Sequence, residues 1–457
     1  MKNLKLYLVV FISLTIFSCE DSLDLTPLQS LNTQEALADV DGLETALNGA
    51  YNALQSVNYY GREYMVLPEI EANLVYLTVN NSNRFTAAYQ YGWTIANGDI
   101  TAVWNTAYTT ILRVNNVINT IDDIEGDQTR KNQLKGEALA IRALCYFDLV
   151  RFFGNPPTTG NPATDLGVPV TLVATLEELP RNTVNEVYDQ VIADLNAAKG
   201  LMTGTDYQRF TANAAEALLA RVYLYRGNNA AAETSASAVI NSGQYSIATS
   251  YEAMFNGPGS TEDIFTILFQ TDESNGSDNH GQIYNPEGYG DIRVTQDLID
   301  LYEAGDERAN MIYQFSDNEF YTSKYDSQDG IPGLVSPKIL RLSEMYLIRA
   351  EARYNTGNSA GALEDLNAIR TARGASEWTS ISNLLQIVEE RQRELVLEGH
   401  TTFDLYRNNL PMVRSQCNTG IELNTICFVA ADNFRTVHPI PEDEMLVNQQ
   451  MVQNPGY

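Results

Sequence analysis

Histidine, cysteine, tryptophan and basic side chains are all scarce in this chain. Of 457 residues three are His, four are Cys and three are Trp, and 29 Lys and Arg stand against 58 Asp and Glu. His280, His400 and His438 are far apart in sequence, which argues against a His-based metal site or a Ser-His relay. G-x-S-x-G, Walker A, H-E-x-x-H and C-x-x-C are also missing. The chemistries these four motifs carry are therefore not expected, and no cofactor is expected. The formal charge of −29 disfavours nucleic acid, because a phosphate backbone needs a basic surface. Charged residues make up only 19% of the chain, leaving a polar surface of Asn, Gln, Ser, Thr and Tyr that suits neutral hydrogen-bonding partners. The 44% of apolar residues supplies a large core and excludes disorder.

The one apolar run of note is at the start. Lys2 and Lys5 precede Leu6 to Phe17, and Ser18 and Cys19 lead into Glu20, Asp21 and Asp24. The run is too short for a bilayer, which takes about 20 residues, and has the layout of a secretory leader. Ile16-Phe17-Ser18-Cys19 resembles a lipobox, so residues 1–18 are expected to be a lipoprotein signal peptide and Cys19 the lipidated residue that anchors the mature chain. Cys145 lies in an apolar helical stretch and reads as a small buried hydrophobe. Cys417 and Cys427 are ten apart in a loop-like region; a disulfide and two free thiols both remain open on spacing alone.

Helical periodicity covers 33–58, 101–121, 130–153, 183–200, 212–227, 230–242, 343–357, 360–373 and 381–398, and strand content is slight. Two helical pairs repeat: Ala220, Gly227, Asn228 and Ala232 correspond to Ala350, Gly357, Asn358 and Ala362. Small residues twelve apart around a Gly-Asn turn are what a tetratricopeptide hairpin needs, because its helices cross closely only where neither side chain is bulky. Long loops occupy 68–99, 154–181, 245–291 and 312–337, with helices on both sides of them. Residues 19–457 therefore read as one mostly α domain with loop insertions. Glu390, Glu394 and Glu398 recur every four residues, but interleaved Arg391 and Arg393 favour a solvated or ion-paired helix face over paired catalytic carboxylates.

Several blocks together resemble one family. Ala138 to Pro156, with Arg142, Tyr146, Leu149, Arg151 and Gly154, is similar to the helix-to-loop motif of SusD/RagB-type outer-membrane lipoproteins. The same holds, in order, for Arg181 to Tyr188, Leu340 to Ala352, Glu390 to His400 with Phe403 to Arg407, and the tail from His438 to Tyr457. The resemblance implies tetratricopeptide-like hairpins scaffolding a loop-rich ligand-binding face, and no catalytic activity. It also implies a surface lipoprotein on the outer membrane that captures oligosaccharides for a SusC-like TonB-dependent transporter; peptide capture and a protein-only scaffold are the alternatives.

A sugar-binding face needs exposed aromatic rings with amide, carboxylate or guanidinium groups around them. By resemblance, ligand residues fall in the loop before the Trp104 helix and in 279–291. The candidate set is Asn73, Arg84, Tyr91, Trp93, Asn97, Tyr284 and Tyr289, with Trp93 and Tyr289 as platforms. Trp104 is assigned to core, Trp378 to a loop anchor and Lys324 to the framework. The acidic balance points to a neutral glycan, unless Arg84 and its neighbours form a basic patch.

Overall fold

The computed structural model describes residues 33–174, 178–316 and 319–457. The leader expected at 1–18 and the lipidation expected at Cys19 lie outside the described residues. The fold is mostly helical. Helices α1 (Val40–Leu54), α2 (Glu63–Ile70), α3 (Gly98–Thr120), α4 (Gln128–Phe153), α5 (Val184–Lys199), α6 (Ala212–Arg226) and α7 (Asn229–Asn241) precede the main run of strands. Helices α8 (Leu342–Asn355), α9 (Ser359–Ala372), α10 (Leu384–Leu395) and α11 (Thr401–Arg407) follow it. Packing is serial: α1 lies on α3, and from α3 to α9 each helix packs on the next in sequence, while α10 lies on α8. This is the nearest-neighbour stacking of a helical repeat array.

The two hairpins read from the sequence are present. Gly227 and Gly357 end α6 and α8 at φ 81° and 90°, a left-handed turn open to glycine at no steric cost. Asn228 and Asn358 then cap α7 and α9 by accepting from the Ala231 and Gly361 amides at 3.3 and 3.0 Å. Ala220, Ala232, Ala350 and Ala362 are fully buried, as close helix crossing requires. Elsewhere Asp127 caps α4 and a reciprocal Thr183–Glu186 pair caps α5.

The loops hold more order than their composition suggests. Strands β1 (Val75–Leu77), β2 (Ile292–Val294), β3 (Ile312–Ser316) and β4 (Glu319–Thr322) form an antiparallel sheet in the order β1-β2-β4-β3. Helix α2 includes Pro68, where the sequence suggested a loop would begin.

The charged face of α10 is ion-paired but not solvated. Glu390, Glu394 and Glu398 are buried. Glu394 receives Arg341 at 2.7 Å, Arg373 at 2.9 Å and Arg308 at 3.2 Å. Glu390 pairs with Arg370 and Arg308 at 2.8 and 2.9 Å, and Glu398 with Arg341 and Lys324, both at 2.8 Å. Burial opposes charge on these carboxylates, but the surrounding cations outweigh it and hold all three below the ordinary range. Because their folded values are depressed, the stability they contribute is complete above about pH 5. It declines below the unfolded-chain value of about 4.3 and is gone once pH passes below the folded values.

Glu394→Gln keeps the side-chain volume but leaves three buried guanidinium groups short of a counter-charge. We expect a loss on the order of 3–5 kcal/mol in equilibrium urea unfolding; a variant as stable as the wild type would mean that these arginines find water.

Candidate functional site

Pairing of β1 with β2, Val75 opposite Val294, brings the two candidate loops to the same end of the sheet. Thr78 follows β1 and donates its amide to the Asp291 carbonyl just before β2, at 3.0 Å. Ser82 donates its amide to Asp291 Oδ1 at 3.0 Å and its hydroxyl to Asp291 Oδ2. That turn aims Arg84 across at the second loop. The guanidinium lies over the Tyr289 ring, 4.0 Å from its centroid, and donates to the Tyr289 hydroxyl at 2.9 Å and to Ser82 Oγ at 3.0 Å. Asp278 pairs with both Arg62 at 2.7 Å and Arg84 at 3.4 Å. The stacked pair is half-buried, so Tyr289 presents a ring whose orientation is fixed by a cation.

More aromatic surface adjoins it. A Cβ on Gly290 would lie 3.5 Å from Tyr321. Tyr313 is stacked on Tyr321, and Phe315, 56% exposed, meets Tyr321 edge-on at 5.4 Å. Arg293 lies over the Tyr321 ring and is paired with Glu319. The solvent-facing rings therefore stand on the β3–β4 hairpin beside Tyr289. Glu63 lies behind this cluster. Burial lifts its carboxyl to about 7, against the pull of Arg62.

Arg84 and Tyr289 are brought together; the rest of the expected set is not. Trp93 is a correction: it is 5% exposed, with its ring edge-on to His438 at 4.5 Å. A Trp two residues after a buried Tyr and just before α3 removes more apolar surface from water by closing the core than by facing solvent. Tyr91 is likewise buried, its hydroxyl donating to the Glu71 carbonyl and sharing a hydrogen bond with Tyr406, both at 2.6 Å. Tyr284 is buried against His280 and Tyr325. Asn97 is the N-cap of α3, its Oδ1 accepting from the Asp99 and Ile100 amides. Asn73 lies at the start of the sheet, where its carbonyl accepts from Thr295. Trp104, Trp378 and Lys324 fall as read: Trp104 is buried on Phe153, Arg370 stacks on Trp378 at 4.2 Å, and buried Lys324 meets Glu398.

Ser82, Asp278, Asp291, Tyr313 and Phe315 were missed. The hairpin did carry a signal, Ile312-Tyr313-Gln314-Phe315 followed by Phe320-Tyr321, short β-prone runs that a helix-dominated reading passes over.

A remote segment holds the first loop. Arg414 is buried and donates to the carbonyls of Ile70, Glu71 and Ala72 at the end of α2 and to Tyr89, while lying 4.2 Å over the Tyr89 ring. Thr425 also donates to the Tyr89 carbonyl, and the Val79 and Leu423 amides donate to Ile421 and Leu77. Cys417 and Cys427 form a disulfide, Cα atoms 5.7 Å apart, which closes this segment. Cys145 is buried and free. Among the described residues no cluster of His, Cys, Asp or Glu is arranged to hold a metal, and no helix is long and apolar enough to cross a membrane.

Two family models match the chain. A SusD-like model described as "Starch-binding associating with outer membrane" covers residues 21–224, and the SusD family model covers 311–457. A SusD-like protein of Formosa agariphila is 26% identical over 522 aligned positions, spanning all of both chains. The starch-binding protein SusD of Bacteroides thetaiotaomicron is 27% identical over 119 positions, 26% of this chain and 21% of that one. A solved SusD superfamily structure from Bacteroides vulgatus has TM-score 0.84 and 31% identity, covering 92% of this chain and 99% of the other. One from Bacteroides thetaiotaomicron has TM-score 0.85 and 29% identity, covering 91% and 100%.

Reduction of the 417–427 disulfide should loosen the site loop, since a ring of this size restrains the unfolded segment by about 3 kcal/mol. In native-state hydrogen exchange the Val79 and Leu423 amides are expected to exchange faster after reduction, with α4 unchanged. Identical protection in both states would show that Arg414 alone suffices.

Proposed function

Because the chain belongs to the SusD family, whose members are carbohydrate-binding proteins associated with the outer membrane, we propose that it captures a neutral oligosaccharide at the Arg84–Tyr289 cluster and delivers it to a SusC-like TonB-dependent transporter. The observation that carries this reading is the Tyr289 ring, oriented by Arg84 and continued by the Tyr313 and Phe315 surface. An aromatic face receives the C–H side of a pyranose, while Ser82, Asp278, Asp291 and the Tyr289 hydroxyl border it as hydrogen-bonding groups for equatorial hydroxyls. Every cation in the cluster already faces a carboxylate: Arg62 and Arg84 face Asp278, and Arg293 faces Glu319. That balance suits an uncharged ligand. The mature protein begins at Cys19 in this proposal, held at the cell surface by its lipid while the helical stack carries the binding face.

Tyr289→Ala and Arg84→Ala should each weaken binding to a neutral oligosaccharide by roughly tenfold in titration calorimetry, the worth of a lost stacking contact. Trp93→Ala should instead lower stability by about 3–5 kcal/mol, as for a buried Trp. Unchanged affinity in both cluster variants would end the assignment.

Cys19→Ser should move the protein from the membrane fraction to the soluble one. Equal membrane recovery of variant and wild type would count against the lipid anchor.

A further inference from the structure

A second concave surface lies beside the cluster. It is a groove of about 600 Å³, within the range of roughly 300–1,000 Å³ usual for small-ligand sites. One wall is the end of α1 and the turn after it, with Asn52 and Asn58; the opposite wall is the outer face of α3, with Asn105, Thr106 and Thr109; Asn275 closes one side. Asn105 and Thr109 are one helical turn apart and share a face, and both are exposed. The side chains of Asn58, Asn105, Thr109 and Asn275 have no hydrogen-bond partner among the described residues.

One charge of each sign lines the groove, and each makes a backbone hydrogen bond. Arg113 donates to the Gly49 carbonyl at 2.5 Å, and the Glu273 carboxylate accepts the Gln270 amide at 2.8 Å. Phe269 lines the groove but is buried, so no exposed ring is offered. The groove thus presents neutral amides and hydroxyls with free donors and acceptors. Arg113 and Glu273 put one charge of each sign in the lining, so the groove holds no excess cation for an anionic ligand. Half-buried Val57 adds a small apolar contact for C–H groups, and successive sugar hydroxyls can satisfy the amides and hydroxyls.

We propose that this groove is a second saccharide-binding site, which holds a neutral chain edge-on by hydrogen bonds where the first site stacks it. The choice of ligand class rests on the glycan reading above; the existence of a separate site rests on the groove. Asn275 borders the groove and Asp278 borders the cluster, with the 3₁₀ turn Gly276–Asp278 between them. At about 2 Å rise per residue the two positions are roughly 6 Å apart. A polysaccharide that reaches both sites gains avidity, and a single sugar unit does not.

The test uses two pairs of substitutions in the full chain, Asn105→Ala with Thr109→Ala in the groove and Arg84→Ala with Tyr289→Ala in the cluster. The groove positions are exposed on a helix and alanine favours helix, so thermal melting should be unchanged. Probes are soluble starch, galactomannan, xylan and mixed-linkage β-glucan in native affinity gels, and the methyl glycoside of the repeating sugar of whichever polymer retards the wild type most, in titration calorimetry. The groove variant is expected to bind that polymer about tenfold more weakly while its methyl glycoside affinity at the cluster stays at the wild-type value. The cluster variant should lose the methyl glycoside yet keep residual retardation by the polymer, and combining all four substitutions should remove it. A groove variant equal to wild type on the polymer overturns the second site and leaves the first standing. A wild type retarded by none of the four overturns the glycan reading, and the groove assignment with it.

Discussion

Glu394 is the constraint from which the rest of this architecture follows. Its carboxylate gathers Arg308, Arg341 and Arg373, each arriving from a different part of the chain. Arg341 stands at the start of α8, Arg373 at the end of α9, and Arg308 four residues before β3. A buried group of this kind is costly to desolvate and tolerates no missing partner. It therefore fixes the register between the helical stack and the sheet in a way apolar packing alone does not. Lys324, two residues after β4, pairs with Glu398 from the same side. Both ends of the β3–β4 hairpin are thus fastened to the α10 segment, and the rings at its exposed tip inherit a fixed position.

The other half of the cluster is fastened by a different device. Among the described residues Arg414 has no carboxylate ion-pair partner; it is surrounded by carbonyl oxygens and by the Tyr89 and Tyr91 rings. Burial holds its pKa below the usual arginine value. Three of those carbonyls belong to the end of α2, where helix termini leave acceptors unfilled. One side chain thereby ends a helix and secures the loop that leads to Trp93, and the disulfide closes the segment that delivers it. The two halves of the cluster meet at Arg84 and Tyr289, between the ionic core on one side and this carbonyl-lined cage on the other.

The helices and the repeated hairpin were legible because they obey local rules. Period, caps and the Gly-Asn turn are all written within about 25 residues, as at Ala220 to Ala232 and its partner at Ala350 to Ala362. The disposition of aromatic rings was not legible, because burial depends on what arrives from elsewhere. Trp93 looks like a loop residue beside amides and glycines until His438, 345 positions later, closes over it. Tyr313 and Phe315 lie in a stretch that carries no helix signal, and their exposure depends on the hairpin turning away from the core. Glu390, Glu394 and Glu398 were placed on the correct face with the correct chemistry, but their depth depends on arginines contributed by distant segments.

The same pairing bears on what the excess of acid means at the cluster. A charge of −29 left room for a local basic patch around Arg84. Arg84 lies over Tyr289 and beside Asp278, and the Ser82 hydroxyl that accepts from it is itself bound to Asp291. Arg62 is shared between Glu63 and Asp278, and Arg293 meets Glu319. None of these three guanidinium groups lacks a carboxylate beside it that a uronate or a sulfate would have to displace. An anionic glycan would have to displace one of these carboxylates and approach a surface of its own sign, two penalties that a neutral chain avoids. Here arginine acts as a positioner of carboxylates and rings, and the proposed preference for uncharged cargo rests on how completely each cation is matched.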